Sequence, residues 1–332
     1  MISAASRVKG KETMTSVSNR GFRLNTGSYI PAIGLGTVGF GHAPAEVHSA
    51  VLQAIKLGYR HIDTASFYGT ESVIGEALAE AFRAGLVNRA DMFITSKLWC
   101  DDHDPQDVIP ALQRSLRLLQ LRYLDLYLMH FPVKLKKGGN FPPAPDELLP
   151  VDIESTWHAI EKCMELRLTK AVGVSNFGVK KLSDMLKYAK IPPAVNQVEM
   201  HPIWQQPTLK TFCDARGIHV SAWSPLAAPG ASYGTSEVIS NPVIKRIAEK
   251  HGKTPAQIAL RWGIQSGVSI LPRSFNPNRL AENYSIFNWE LIPEDLMEVQ
   301  KLKQRRTNRC EFFCSAVHGP YKSLQDLWDG EI

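Results

Sequence analysis

The sequence predicts an α/β chain folded as a (β/α)8 TIM barrel, and three observations carry that expectation. Apolar runs of strand length alternate with amphipathic helical stretches, the runs number eight, and many of them are apolar on both faces. Strands apolar on both faces pair in parallel under a cover of helices. Right-handed crossovers between eight such units close a barrel. No linker or low-complexity segment interrupts the rhythm, so residues 21–332 are expected to form one domain. The first 20 residues, MISAASRVKGKETMTSVSNR, are Ser-rich, basic and nearly free of acids; they are expected to be a disordered leader with a faint likeness to a transit peptide.

The elements follow in order. FRLNTGSYIPAIG reads as an N-terminal hairpin able to plug the lower mouth of the barrel. The strand runs are AIGLGT, YRHIDT, MFITSK, LDLYLMH, KAVGVSN, AVNQVEM, HVSAWS and VSILPRS. Helical stretches such as AEVHSAVLQAIKLG, ESVIGEALAEAFRAG and PQDVIPALQRSLRLLQ separate them. In the second of these, Val73, Ile74, Leu78, Ala81 and Phe82 keep the spacing of one buried face. Gly58, Gly85, Gly217 and Gly267 stand where helices should stop in a left-handed cap. NPVIKRIAEKHG and IPEDLMEVQKLKQ are two extra helices. The C-terminal tail from about residue 305 holds aromatics among Gly, Pro and charges and cannot form a core alone, so it is expected to lie over the open rim of the barrel.

A chain of 332 residues, 44% hydrophobic and 21% charged, can bury a large core. Its net charge of +6 would suit an anionic cofactor or nucleic acid. The densest basic run, KLKKGG, reads as a solvated loop, so no nucleic-acid partner is expected. Five cysteines without regular spacing fit a reducing, cytoplasmic setting, and a monomer is expected. No apolar run approaches the ~18 residues of a membrane span. CDDHD, residues 100–104, reads as a wet loop ending in a helix cap, and Cys310, Cys314 and His318 lack a fourth ligand, so no metal is expected.

One rival requires weighing. GLGTVG, Gly34 to Gly39, matches a dinucleotide fingerprint after a strand, and Asp63 falls roughly where such folds place a ribose-binding acid. FGHAP then intervenes before any helix starts, so a pyrophosphate would meet no helix N-terminus. The barrel reading is therefore kept.

Barrel enzymes hold their chemistry at the C-terminal ends of the strands. Those ends carry Asp63 with Tyr68 in the loop behind, then Lys97, His130, Ser175 with Asn176, Gln197, Trp223, and Arg273 with Ser274. Singly, each has an ordinary explanation as a solvated end, a core histidine or a helix cap. Together, at successive strand ends, they mark a site.

With these motifs in view, the chain resembles the aldo-keto reductases over about residues 22 to 330. GYRHIDTASFYG is similar to that family's first signature, and ITSKLW, LDLYLMHFP, VGVSNF, VNQVEMHP, WSPL and LPRSFNPNRLAEN follow in its order. Within the family it looks most like plant reductases of specialised metabolism. The resemblance implies a catalytic set of Asp63, Tyr68, Lys97 and His130. It implies NADPH contacts at Thr37, Asp63, Ser175, Asn176, Gln197, Trp223, Ser224, Leu226, Arg273, Ser274, Phe275, Arg279, Glu282 and Asn283. It implies NADPH-dependent reduction of a small-molecule ketone, aldehyde or imine; some family members are instead cofactor-binding regulatory subunits with incidental turnover. Trp223, Arg273, Phe131 and Val38 stand where the family more often has Tyr or Phe, Lys, Trp and Trp, which leaves the chemistry intact and the substrate open.

The residue types fit the chemistry. Hydride addition to a carbonyl builds negative charge on oxygen, which calls for a proton or donors at that point. Tyr68 can supply the proton, and a neighbouring Lys97 ammonium is expected to lower the phenol's pKa. Asp63 is expected to keep Lys97 charged, and His130 to orient the substrate oxygen. Two guanidiniums in PRSFNPNR, close to the next helix's N-terminus, suit a phosphate monoester. Phe40, Tyr68, Trp99, His130, Phe131, Phe312 and Phe313 are candidates to line a pocket for a flat, hydrophobic ketone, with ordinary core and tail packing the alternative for each aromatic.

Overall fold

The computed structural model describes residues 20–332, so the expected leader lies outside the described residues but for Arg20. The chain opens with an antiparallel hairpin, β1 (Gly21–Arg23) and β2 (Tyr29–Pro31), in register Phe22 to Ile30. Then come β3 (Leu35–Gly36), α1 (Pro44–Leu57), β4 (His61–Asp63), α2 (Glu71–Arg83), β5 (Phe93–Leu98), α3 (Pro105–Leu118) and β6 (Leu126–Met129). A second hairpin, β7 (Lys134–Leu135) and β8 (Leu148–Leu149), precedes α4 (Ile153–Glu165). The order resumes with β9 (Val172–Ser175), α5 (Val179–Met185), β10 (Val195–Glu199), α6 (Pro207–Asp214) and β11 (His219–Trp223). Three helices follow, α7 (Glu237–Ser240), α8 (Pro242–His251) and α9 (Pro255–Gln265), and then β12 (Ser269–Leu271), α10 (Pro277–Tyr284), α11 (Pro293–Gln300) and α12 (Leu324–Leu327).

The eight-stranded sheet runs β12-β11-β10-β9-β6-β5-β4-β3, every pairing parallel. It closes where Gly34 N donates to Ile270 O (2.9 Å) and Ile270 N donates to Ala32 O (2.9 Å). That seam accounts for Gly34 of GLGTVG without a nucleotide. A Cβ on Gly34 would stand 2.7 Å from both Leu271 Cδ2 and His61 Nδ1. At the opposite end from the chemistry, Leu24 and Ile30 of the N-terminal hairpin pack on Phe93, Leu126, Ala171 and Ala194, so the hairpin plugs the lower mouth as expected.

Local sequence signals account for the helix ends. Asn241 caps α8 by accepting from Val243 N and Ile244 N, Pro242 opens it, and Gly252 (φ 59°) ends it. The expected α8 and α11 are both present, and a short helix, α7, precedes α8. One loop differs from expectation. CDDHD is buried rather than wet, with Cys100 0%, His103 2% and Asp102 6% exposed. Asp102 pairs with Arg114. Asp104 precedes α3 but its carboxylate holds Lys134 (2.7 Å) instead of the helix N–H groups. KLKKGG is solvated as expected, with Lys136, Lys137, Gly138 and Gly139 exposed, although Lys137 also reaches Asp107 at 2.8 Å. Opposite charges on the two loops, unreadable as neighbours in sequence, draw β7 onto the loop after β5.

Candidate active site

Alternation along β5 decides which side chains face the barrel interior. Ser96 points outward and donates to Glu71 Oε1 (2.6 Å), so Lys97 points inward, with 0% exposure. There its Nζ donates to Asp63 Oδ1 (2.6 Å), Thr64 O (2.9 Å) and Tyr68 OH (3.3 Å). The three donors of the ammonium are thereby used. Gln197 Nε2 donates to the other Asp63 oxygen at 2.7 Å. Tyr68 ends a single 3-10 turn, Ser66–Tyr68, closed by Gly69 at φ 67°. Ser66 Oγ donates to Lys97 O (3.1 Å) and ties that turn to β5. His130, just past β6, stands edge-on to Tyr68 with ring centroids 5.6 Å apart.

The electrostatics follow from burial. Burial lowers the pKa of Lys97, and Asp63 opposes the shift; burial raises that of Asp63, opposed by Lys97 and Gln197. Tyr68 differs from expectation. Burial holds its phenol well above the ordinary value, and the Asp63 carboxylate adds to the rise. Lys97 sits closer to Asp63 than to Tyr68, so the phenol faces a nearly neutral pair rather than a free cation. Burial, then Lys97, then His103, push His130 well below the usual imidazole range, so the ring is neutral. Its Nδ1 has no hydrogen-bond partner among the described residues.

The cofactor candidates form the other half of the rim. Thr37 Oγ1 donates to Asp63 O (2.8 Å), joining the two halves. Asn176, at φ 65°, donates to His130 O (2.9 Å) and Ser175 Oγ (3.0 Å), and its Oδ1 accepts from Trp223 Nε1 (3.0 Å). Ser175 Oγ donates to Gln197 O at 2.7 Å. Ser224 and Leu226 continue from β11 into the next loop, where Tyr233 OH lies 3.4 Å from Ser224 Oγ. Arg273 and Arg279 are exposed, and neither is matched with a carboxylate among the described residues. Ser274 and Phe275 lie between them. Asn276 already accepts from Asn278 N and Arg279 N, so side chains rather than free N–H groups of α10 are what remain for an anion. Glu282 accepts from Thr254 Oγ1 (2.7 Å), and Asn283 is buried.

The aromatic candidates separate into two layers. Trp99 stacks on Phe67 (centroids 3.8 Å) and stands edge-on to His130 (5.0 Å). Phe40, 58% exposed, meets Phe67 at 5.6 Å. Phe141, on the loop of the β7–β8 hairpin and 44% exposed, bridges Phe67 (4.6 Å) and Phe312 (5.0 Å). Phe313, by contrast, is 1% exposed and packs edge-on to Phe131 at 5.0 Å, which makes it the support of the wall. The tail does lie over the rim, in one apolar cluster with Cys100, Phe131 and Val133, and it also grips α5. Phe67 and Phe141 join this surface, and Tyr233 joins the cofactor side beside Ser224, although the sequence alone does not single them out. Phe67 stood inside the first signature, whereas Phe141 and Tyr233 sit in polar, Pro- or Gly-bearing loops that carry no periodic signal. Because the layers differ, Phe312→Ala is expected to raise KM for a bulky aromatic ketone severalfold with little change for a small aldehyde. Phe313→Ala should chiefly lower Tm, at a cost of about 3–5 kcal/mol for a buried Phe. Steady-state kinetics on both substrates, with thermal melts, separate the two.

No group of three or more His, Cys, Asp or Glu among the described residues is placed to hold a metal ion. No helix among them is long and apolar enough to cross a membrane.

Comparison with known proteins gives a consistent result. The sequence profile of the aldo/keto reductase family matches residues 32–304. The chain is 50% identical over 312 residues to aldo-keto reductase family 4 member C11 of Arabidopsis thaliana, covering 94% of this chain and 98% of the relative. It is 51% identical over 309 residues to the (1S)-1,7-diacetoxy-luvungin A aldo-keto reductase of Citrus sinensis, covering 93% and 96%. Among solved structures, the aldose reductase of Schistosoma japonicum superposes with a TM-score of 0.83 at 35% identity, covering 91% of this chain and 99% of that one.

Proposed function

The chain belongs to the aldo/keto reductase family and is an oxidoreductase acting on carbonyl and alcohol groups, and from that premise we propose an NADPH-dependent reductase of a ketone or aldehyde, with Tyr68 as general acid. The observation that carries the reading is the continuous chain Gln197–Asp63–Lys97–Tyr68 beside a neutral His130. A reduced nicotinamide held at Ser175, Asn176, Gln197 and Trp223 would supply the hydride. The residues of the chain do the rest. His130, neutral, donates an N–H to the carbonyl oxygen and fixes its position. Tyr68 remains protonated until negative charge develops on that oxygen, and then gives up its proton. Lys97, 3.3 Å away, stabilises the phenolate left behind, and Asp63 keeps Lys97 charged in a site that would otherwise neutralise it. A raised phenol pKa suits this order of events, because an alkoxide is a far stronger base than a phenolate.

NADPH is favoured over NADH by Arg273 and Arg279, two exposed guanidiniums near the start of α10 that face no carboxylate among the described residues, Arg273 donating only to Val38 O (3.2 Å). Guanidinium forks match a phosphate monoester. The aromatic wall supports a flat, neutral, hydrophobic substrate of the specialised-metabolite class. The Citrus sinensis relative, named for an acetoxylated compound, is in keeping with such a substrate.

Steady oxidation of NADPH by 4-nitrobenzaldehyde is the expected result. Arg273→Gln with Arg279→Gln should cut the preference for NADPH over NADH at least ~10-fold, since each charge-assisted contact is worth roughly 1.5–3 kcal/mol. Equal loss with both cofactors would remove the phosphate assignment. Binding of NADPH without turnover of any carbonyl would favour a cofactor-binding regulatory subunit.

A further inference from the structure

Helix α5 starts at Val179, and Gly178, which precedes it at the cap position, has no side chain to cap it. Its first N–H groups are taken by the far end of the chain. Glu331 Oε1 accepts from Val179 N (2.9 Å), and Asp329 Oδ2 accepts from Lys181 N (3.4 Å). The bareness of Gly178 makes room for this, since a Cβ there would stand 2.8 Å from Asp329 Oδ2. The chain end is held in place by further contacts. Lys181 Nζ donates to Asp329 Oδ1 (2.7 Å), Leu327 O (2.9 Å) and Asp326 O (3.1 Å). The Arg306 guanidinium lies 3.7 Å from the centre of the Trp328 ring and donates to Glu331 O (3.0 Å). Where the tail begins, Glu199 at the end of β10 accepts from Thr307 N (3.0 Å) and Asn308 N (3.1 Å).

The place of this cap in the fold gives it a role. Only Phe177 and Gly178 separate Asn176 from the helix, and Asn176 holds a left-handed conformation at φ 65°. The segment Asn176–Gly178 forms one side of a narrow crevice whose other side is Arg306, Trp328 and Glu331. We propose that Asp329 and Glu331 are positioning residues for the cofactor site: they cap α5 from the opposite end of the sequence and thereby hold Ser175 and Asn176 where a nicotinamide amide is received. Tail docking and cofactor binding are then linked, and linkage is reciprocal. A docked tail tightens the cofactor, and bound cofactor fastens the tail. The inference rests on Ser175 and Asn176 being cofactor contacts.

Three variants test it, with NADPH affinity read by tryptophan fluorescence and tail docking by tryptic cleavage at Lys322. In the unaltered chain, NADPH should bind and slow that cleavage. Asp329→Ala with Glu331→Ala should weaken NADPH about three- to tenfold, the loss of a helix cap, and abolish the protection. KM for NADPH should rise with little change in kcat on a small aldehyde. Glu331→Gln alone, which keeps an acceptor but loses the charge, should show a smaller change of the same kind. Adding Gly178→Asp to the double variant supplies a local cap; the backbone there (φ −80°) accepts any residue, and the colliding carboxylate is gone. That triple variant should regain NADPH affinity while its tail stays cleavable. Unchanged affinity in the double variant, or no recovery in the triple variant, would overturn the proposal. Failure of the unaltered chain to bind NADPH would instead overturn the cofactor reading, and this inference with it.

Discussion

Replacing Tyr68 by Phe is expected to lower kcat on any carbonyl substrate roughly 10²–10⁴-fold while NADPH affinity stays near that of the unaltered chain. The substitution keeps the ring that stands 5.6 Å from His130 and removes only the hydroxyl that Lys97 Nζ reaches at 3.3 Å. Packing is therefore conserved and the loss falls on the proton. The raised pKa sharpens the expectation. Burial and Asp63 keep Tyr68 protonated through the neutral range, so the acid form is fully present at working pH. The alkaline fall in activity that would mark loss of that proton should lie above the ordinary phenol range. Rate measurements from pH 6 to pH 10, with cofactor titrations of both proteins, check this. Retained turnover in Tyr68→Phe would remove Tyr68 from its role.

The parts of this molecule that were legible in sequence are those set by periodicity and by strand ends. The eight barrel strands appear because their residues are apolar on both faces, and the polar groups that stop them fall at one rim as a geometric consequence. Asp63, Lys97, Ser175 and Gln197 were found that way, even though β3 keeps only Leu35–Gly36 as regular strand. What was not legible depends on contacts between distant segments. Phe141 sits among Gly, Asn and Pro, so nothing local distinguishes it from a solvated loop; it becomes part of a wall only because Phe67 and Phe312 arrive from elsewhere. The burial of CDDHD and the fastening of KLKKGG have the same origin. The missing cap of α5 reads in sequence as a weak helix start, and its partner lies 152 residues downstream. Charge alone predicts a lowered pKa for Tyr68, whereas the buried phenol is raised. Desolvation, which sequence does not display, is the larger effect.

The same balance between burial and charge separates two variants of the buried pair. Lys97→Met should cost activity roughly 10²–10³-fold, the scale of losing one charged donor at a developing anion. Asp63→Asn should cost as much at neutral pH by a different route. Without its counter-ion at 2.6 Å, the ammonium at 0% exposure loses the chief interaction opposing its desolvation, and its pKa falls further. A base with a depressed pKa regains its proton as pH falls. Activity of Asp63→Asn should therefore rise toward acid before other groups titrate, whereas Lys97→Met, with nothing to reprotonate, should show no such limb. Both variants break a buried ion pair and should be less stable by about 3–5 kcal/mol, read from urea midpoints. Acid should return activity to Asp63→Asn but not stability. With the Lys97 pKa depressed only in the folded chain, the unfolded chain binds more protons as pH falls. The recovered activity therefore depends on Lys97 charging while folded, with Thr64 O and Tyr68 OH still accepting from it. Parallel pH profiles for the two variants would mean that Asp63 acts through packing alone. A divergence confined to the acid side would assign it to holding the charge on Lys97, the step on which the readiness of Tyr68 to release its proton depends.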